Sequence, residues 1–303
     1  MRSPEPHSIN SRRAIAVAAL LAGAVGIAFA PLLVRVSETG PVATAFWRAA
    51  LALPVLWAWA LADRRVGHFT AFAVDGRLMV AAGVLFAGDL AVWHWSIMLT
   101  SVANASLLAN LAPIFVTLAV WLVFRQRPGG LFLAGMAVAL AGTAALLGDN
   151  FRLGGAPLAG DALGVLTAMF YAGYQLAINR ARARAATSTL MAWSVLFTAA
   201  ALLPIALLSG DRMVPETSTG WLTLLALALV SQAAGQSLIA YAMAHLPPTF
   251  SSVGLLFQPV IAALFAWALL GEALGWVQMA GGVAVLAGIY IAHGATARRS
   301  VRG

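Results

Sequence analysis

Few side chains in this sequence could do chemistry, and those that could stand in apolar surroundings. Arg48 and Asp89 lie inside long apolar runs, where a charge is costly and marks a functional site by default. At 1.5 Å per residue, Arg48 is roughly 10 Å and Asp89 roughly 15 Å from the same end of two consecutive runs. They either pair, as a structural tie between helices, or face a common polar cavity, where the Arg48 guanidinium could grip a carboxylate or phosphate in bidentate fashion. His94, within Trp93-His94-Trp95, sits about 140° around the helix from Asp89. It reads either as a proton-coupling group or as a hydrogen-bonded helix residue. Trp93 offers a stacking surface for an aromatic or cationic ligand, or forms part of the interfacial aromatic belt, where Trp95 fits best.

Uncharged polar residues are more orderly. Gln232 and Gln236 are one helical turn apart, Tyr171, Tyr174 and Gln175 share a face at i, i+3, i+4, and Gln258 stands beside Pro259. Ser106, Asn110, Pro113 and Thr117 line one stripe. Such groups serve as interhelical ties or line a wet cavity for a small polar solute. Their placement at middle depth in several helices favours the cavity.

Enzyme chemistry lacks its parts. The chain has no Lys and no Cys, hence no Walker-type lysine, no Schiff base and no thiolate. There is no His-Glu-x-x-His pair and no Gly-x-Ser-x-Gly turn, and the five His are scattered. The reading is therefore a non-enzyme with no cofactor and no metal site.

The elements that must position these residues follow from composition. With 62% apolar and 9% charged residues over 303 positions, the chain belongs in a bilayer. Ten stretches are long enough to cross it: 14–36, 41–62, 77–99, 102–124, 129–147, 160–180, 188–209, 219–244, 249–270 and 274–294. The sequence also matches itself. A shift of 146 residues lays Trp47 on Trp193, Ser106 on Ser252, Pro113 on Pro259 and Trp121 on Trp267. Duplication of a five-helix unit makes the second copy enter from the opposite side. The expectation is an all-α integral membrane protein of ten transmembrane helices, two inverted five-helix repeats at residues 1–150 and 151–303.

Arginine sets the orientation. Fourteen of the 18 fall in segments on the side of the termini and only Arg35, Arg152 and Arg212 on the other, so both termini are expected in the cytoplasm. The net charge of +8 then reflects topology and attraction to anionic headgroups, and nucleic acid is not an expected partner. Arg12-Arg13 and Ala28-Phe29-Ala30 imitate a cleavable signal peptide, but Pro31 directly after the cut disfavours cleavage. Residues 1–13 and 295–303 read as polar, poorly ordered tails. Pro113 and Pro259, mates under the shift, are expected to kink or break helices that gate the cavity. Gly135, Gly142, Gly281, Gly282 and Gly288 give the fifth and tenth helices smooth faces for packing or for a homodimer.

Taken together, Phe46-Trp47-Arg48, Gly88 to Ser96, Thr100 to Pro113, and Pro259, Trp267 and Gly271-Glu272 resemble the drug/metabolite transporter superfamily, EamA type. The resemblance implies a ten-helix secondary carrier, often an exporter of amino acids or other small metabolites, with a cavity between the repeats. One departure is Gln126, standing where the repeat would place a mate for Glu272. The expectation is an inner-membrane exporter of small polar metabolites, amino acids including aromatic ones foremost. The alternatives are an organic-cation efflux carrier and, from another class, a non-transporting receptor or assembly protein.

Overall fold

Four prolines mark breaks in the apolar stretches, whereas Pro204 stays inside an unbroken helix. The computed structural model describes residues 6–65, 76–99, 102–147, 158–182, 185–270 and 275–300. The first stretch folds as α1 (Pro6–Ala28) and α2 (Ala30–Arg35), the second as α3 (Pro41–Ala50) and α4 (Leu53–Arg65), the third as α5 (Gly76–Leu99). The fourth splits into α6 (Val102–Ala109) and α7 (Ala112–Leu122), and the fifth is α8 (Gly130–Leu147). In the second half, α9 (Leu158–Arg182) and α10 (Thr187–Leu208) form the sixth and seventh. The eighth runs through α11 (Ser218–Ala226), a π-helical stretch (Leu227–Gly235) and α12 (Gln236–Ala242). The ninth is α13 (Pro248–Gly254) and α14 (Phe257–Leu270), and the tenth is α15 (Trp276–Ser300).

Each split falls just before a proline in the first turn of the next helix: Pro31, Pro54, Pro113 or Pro259. A proline ring excludes the carbonyl four residues back and offers no N–H, so the helix ends and restarts with proline where no donor is needed. The breaks before Pro113 and Pro259 were expected. Those before Pro31 and Pro54, and the π stretch, were not. Helix also reaches into both segments read as tails, because α1 begins at Pro6 and α15 runs to Ser300. The expected boundary at 150–151 and Glu272 lie outside the described residues.

Eight of the ten segments are long and apolar enough to cross a membrane by length and composition, and the fifth is a shorter apolar helix. The sixth, α9, carries Asp161, Arg180 and Arg182 near its ends. The fold is that of an all-helical, multi-pass membrane protein.

Corresponding helices run in opposite directions. A Cβ on Gly135 would lie 2.7 Å from the backbone N of Ala292, and one on Gly142 would lie 2.6 Å from that of Val285. Numbers rise along α8 as they fall along α15, so these mates are antiparallel. Near the second and seventh segments, the Gly40 N–H donates to Arg212 O at 3.1 Å, while Trp57 stacks edge-on against Trp193. Packing of α5 on α9 is mirrored by packing of the eighth segment on α1. Antiparallel mates with exchanged neighbours define inverted repeats. The glycine faces of α8 and α15 are thus used for packing within the chain, one of the two roles expected of them.

Serine and threonine tie the crossings. Thr198 Oγ1 donates to Gly83 O at 3.0 Å, Ser231 Oγ to Gly26 O at 2.9 Å and Ser96 Oγ to Gly160 O at 2.8 Å. All three carbonyls belong to glycines, and at Gly83 and Gly26 the facing helix comes close: a Cβ on Gly83 would meet the Phe197 Cβ at 2.4 Å.

Candidate functional site

Arg48 is the centre. It occupies the last turn of α3, just before the break at Leu51 and Ala52, and only 6% of it is exposed. Its Nε–H donates to Oε1 of the fully buried Gln232 at 3.0 Å. Gln232 belongs to the π stretch of the opposite repeat, whose widened turn is a frequent device at functional sites. This bond joins the two halves in the protein interior.

An aromatic wall stands beside the guanidinium. The Arg48 Cζ lies 5.9 Å from the centroid of Phe86 on α5, within cation–π range. Phe86 stacks on Tyr174 of α9 at 4.5 Å and 27°, and Tyr174 lies nearly parallel to Tyr171 at 6.0 Å. Tyr171 in turn meets the side chain of Gln258 at the start of α14. The wall therefore passes from the first repeat into the second.

Asp89 follows Phe86 by one turn of α5 and is half-buried. It acts electrostatically on Arg48, Tyr171 and Tyr174, yet Arg48 and Asp89 are not joined by a direct ion pair among the described residues. Of the two readings drawn from sequence, direct pairing is not made.

His94 is buried below this cluster in sequence. Its Nδ1 donates to Leu90 O at 2.5 Å, which fixes the ring to its own helix, and Nε2 is buried without a partner. His94 also feels the charge of Arg48. Trp93 is half-buried and packs edge-on against the His94 ring at 5.1 Å, and Trp95 is exposed, as a belt residue would be.

Other nominated residues stand at the edges. Asn110 Nδ2 donates at 2.8 Å to Ser106 O, which also accepts the Asn110 N–H at 3.0 Å, beside the break that precedes Pro113. Gln175 is buried with neither amide atom bonded, and Gln236 is buried with Oε1 unbonded. Gln232 Nε2 and Gln258 Nε2 are likewise unsatisfied. Unbonded amides inside a membrane protein are expensive unless water or a solute completes them. Pro113 and Pro259 place the two broken helices in corresponding positions, the arrangement that borders transporter sites.

The structure thus brings together Arg48, Asp89, Tyr171, Tyr174, Gln232 and Gln258 from both repeats. Phe86 was not legible beforehand, since nothing distinguishes it from other apolar positions on α5.

Comparisons with known proteins agree with the two-repeat architecture. Residues 14–148 and 158–293 each match the EamA-like transporter family, one match per repeat. An uncharacterized transporter of Archaeoglobus fulgidus is 25% identical over 272 residues, covering 85% of this chain and 89% of its own. The pseudopaline exporter of Pseudomonas aeruginosa is 29% identical over 210 residues, covering 69% and 72%. A solved crystal structure superposes with a TM-score of 0.78 over 93% of this chain and 96% of its own at 20% identity, which speaks for the fold alone. With both halves matched, the chain belongs to the EamA-like transporter family, and it is a transporter.

Proposed function

We propose that this transporter is a secondary exporter of the inner membrane that carries small polar metabolites, amino acids including aromatic ones foremost, by alternating access between the units 1–150 and 151–303. The observation that carries this reading is Arg48, buried at the repeat junction, bonded to Gln232 and apart from Asp89. A zwitterion fits such a centre, its carboxylate on the guanidinium and its ammonium toward Asp89. The stack of Phe86, Tyr174 and Tyr171 gives an aromatic side chain a surface to lie on. One relative bears the name of a metabolite exporter, which supports the direction.

An organic-cation carrier would use Asp89 and the same rings. Arg48 already lies over the Phe86 ring, so the cation-attracting face is next to a fixed positive charge. That placement favours anionic or zwitterionic solutes. The arginine bias supports a cytoplasmic location for both termini. A homodimer through the fifth and tenth segments would use their outward faces, where Val283, Leu286 and Tyr290 are exposed.

Flux of a labelled amino-acid panel into proteoliposomes, with and without a pH gradient, tests the proposal. Saturable flux of one class that is lost in Arg48→Ala is the expected result. Flux of lipophilic cations in place of amino acids would transfer the reading to cation efflux, and no flux of either would move the substrate to another class of small metabolite.

A further inference from the structure

At one face the two repeats hold each other with carboxylates. Asp211, in the turn after α10, accepts the N–H groups of Val42 at 2.8 Å and Ala43 at 3.0 Å on Oδ2, capping the start of α3. Glu38, in the turn before α3, accepts the N–H groups of Glu216 at 2.9 Å and Thr217 at 3.1 Å, and the Thr217 hydroxyl, at the start of α11. Each half caps a helix of the other with a negative charge at the positive end of the helix dipole. Around this clasp the Gly40 N–H donates to Arg212 O, the Trp47 Nε1–H donates to Met213 O at 2.5 Å, and Trp47 packs on Trp221.

Inverted repeats carry the corresponding turns to the opposite face. In sequence, the 146-residue shift replaces Glu38 by Arg184, which lies outside the described residues, and Asp211 by Arg65. An arginine has no acceptor for a backbone N–H and is disfavoured at a helix N-terminus. The mate of α3 is α10, and its N-cap is Ala186, with no side-chain cap. The hydroxyls of Ser188 and Thr189, mates of Val42 and Ala43, are buried without partners. At that face a cleft of about 290 Å³ lies among Thr117, Phe132, Thr249 and Thr296.

We propose that Asp211 and Glu38 are positioning residues that hold α3, and with it Arg48, against the second repeat and shut this face in the empty carrier, so that solute enters from the face whose acids are replaced by arginines. By the arginine bias the shut face is outside, and the carrier therefore loads from the cytoplasm. The inference rests on the transport reading and its orientation, and the identity of the solute plays no part in it.

The absence of Cys makes the test direct. A single thiol placed by Gln258→Cys in the full chain is labelled with a charged, membrane-impermeant methanethiosulfonate from either side of oriented vesicles. Slow labelling from the clasped face is expected, rising about tenfold or more in the Asp211→Ala, Glu38→Gln double variant, the effect of losing charge-assisted hydrogen bonds. The reciprocal variant Arg65→Asp, Arg184→Glu is expected to slow labelling from the opposite face. Unchanged labelling from the clasped face in a folded double variant overturns the proposal. If that variant does not fold, unchanged labelling in the arginine pair overturns it instead. Labelling needs no solute, so an inert flux panel and an unaltered labelling pattern are separate failures.

Discussion

Arg48 donates through Nε to the Oε1 of Gln232 across 3.0 Å, and the two residues come from opposite repeats. Because the bond uses one edge of the guanidinium, the fork formed by Nη1 and Nη2 is the second edge open to bidentate chemistry. Gln232 thereby sets the plane in which a carboxylate would be met. It does so from a π stretch, where a shift in helical register would rotate it away.

Replacing Gln232 by Leu should weaken solute binding without removing the charge that binds it. Loss of a hydrogen bond to a charged group costs about 1.5–3 kcal/mol, or roughly 10- to 100-fold in KM. Arg48→Lys should do worse, since an ammonium cannot form both the Gln232 bond and a planar fork. Initial rates in proteoliposomes decide this, and an unaltered KM in Gln232→Leu would remove Gln232 from the site.

The contact of α8 with α15 should tolerate no side chain. A Cβ on Gly142 would stand 2.6 Å and one on Gly288 2.4 Å from backbone nitrogen of the facing helix, so neither neighbour can rotate away. Gly142→Val and Gly288→Val should each destabilise the detergent-solubilised protein by about 1–3 kcal/mol or more, as overpacking does. Gly76 and Gly294 have open space around them, and Ala at either should leave the melting temperature unchanged or raise it slightly, since Ala is the better helix former.

Much of this arrangement was legible because membrane burial leaves few reasons for a polar residue to exist. Arg48, Asp89, Tyr171 and Gln232 stood out against their apolar runs, and the shift that pairs Pro113 with Pro259 also placed the two breaks. Asn110 and Leu111 correspond to Leu256 and Phe257, one residue from the break observed at Leu255 and Leu256. What escaped were features set by distant partners. Asp211 looks like an ordinary turn residue until α3 is placed against it, and Phe86 becomes part of the site only because Tyr174 stacks on it. The π stretch contains no proline to announce it. It forms where Gln232 meets Arg48 and where Gly23 and Gly26 of α1 let the eighth segment approach.

Restoring a donor at the two breaks should slow transport and leave folding intact. With Ala at Pro113 and Pro259, the N–H groups return and the fourth and ninth segments can run as continuous helices. The expected outcome is a lower maximal flux with little change in KM, and slower amide exchange at residues 109–113 and 255–259. Unaltered exchange together with unaltered flux would make the breaks static bends.

The clasp should also respond to acid, with a sign fixed by Glu38. The Thr217 hydroxyl, the N–H groups of Thr217 and Glu216, and the positive charge of Arg212 hold its carboxyl below the ordinary value of 4.5. Arg212, itself paired with the Glu216 carboxylate at 2.8 Å, is the charge that acts on it. A depressed value means that the ionised form is bound more tightly when the clasp is closed than when it is open. Its contribution is fully present above 4.5 and is lost as pH falls through the lower, clasped value. The melting temperature of the wild type should therefore exceed that of Glu38→Gln by a constant margin from neutral pH to about 5, and the margin should shrink below that. A margin that vanished near pH 6 would assign the effect to a histidine, and one that persisted to pH 3 would show that the charge of Glu38 does not hold the clasp.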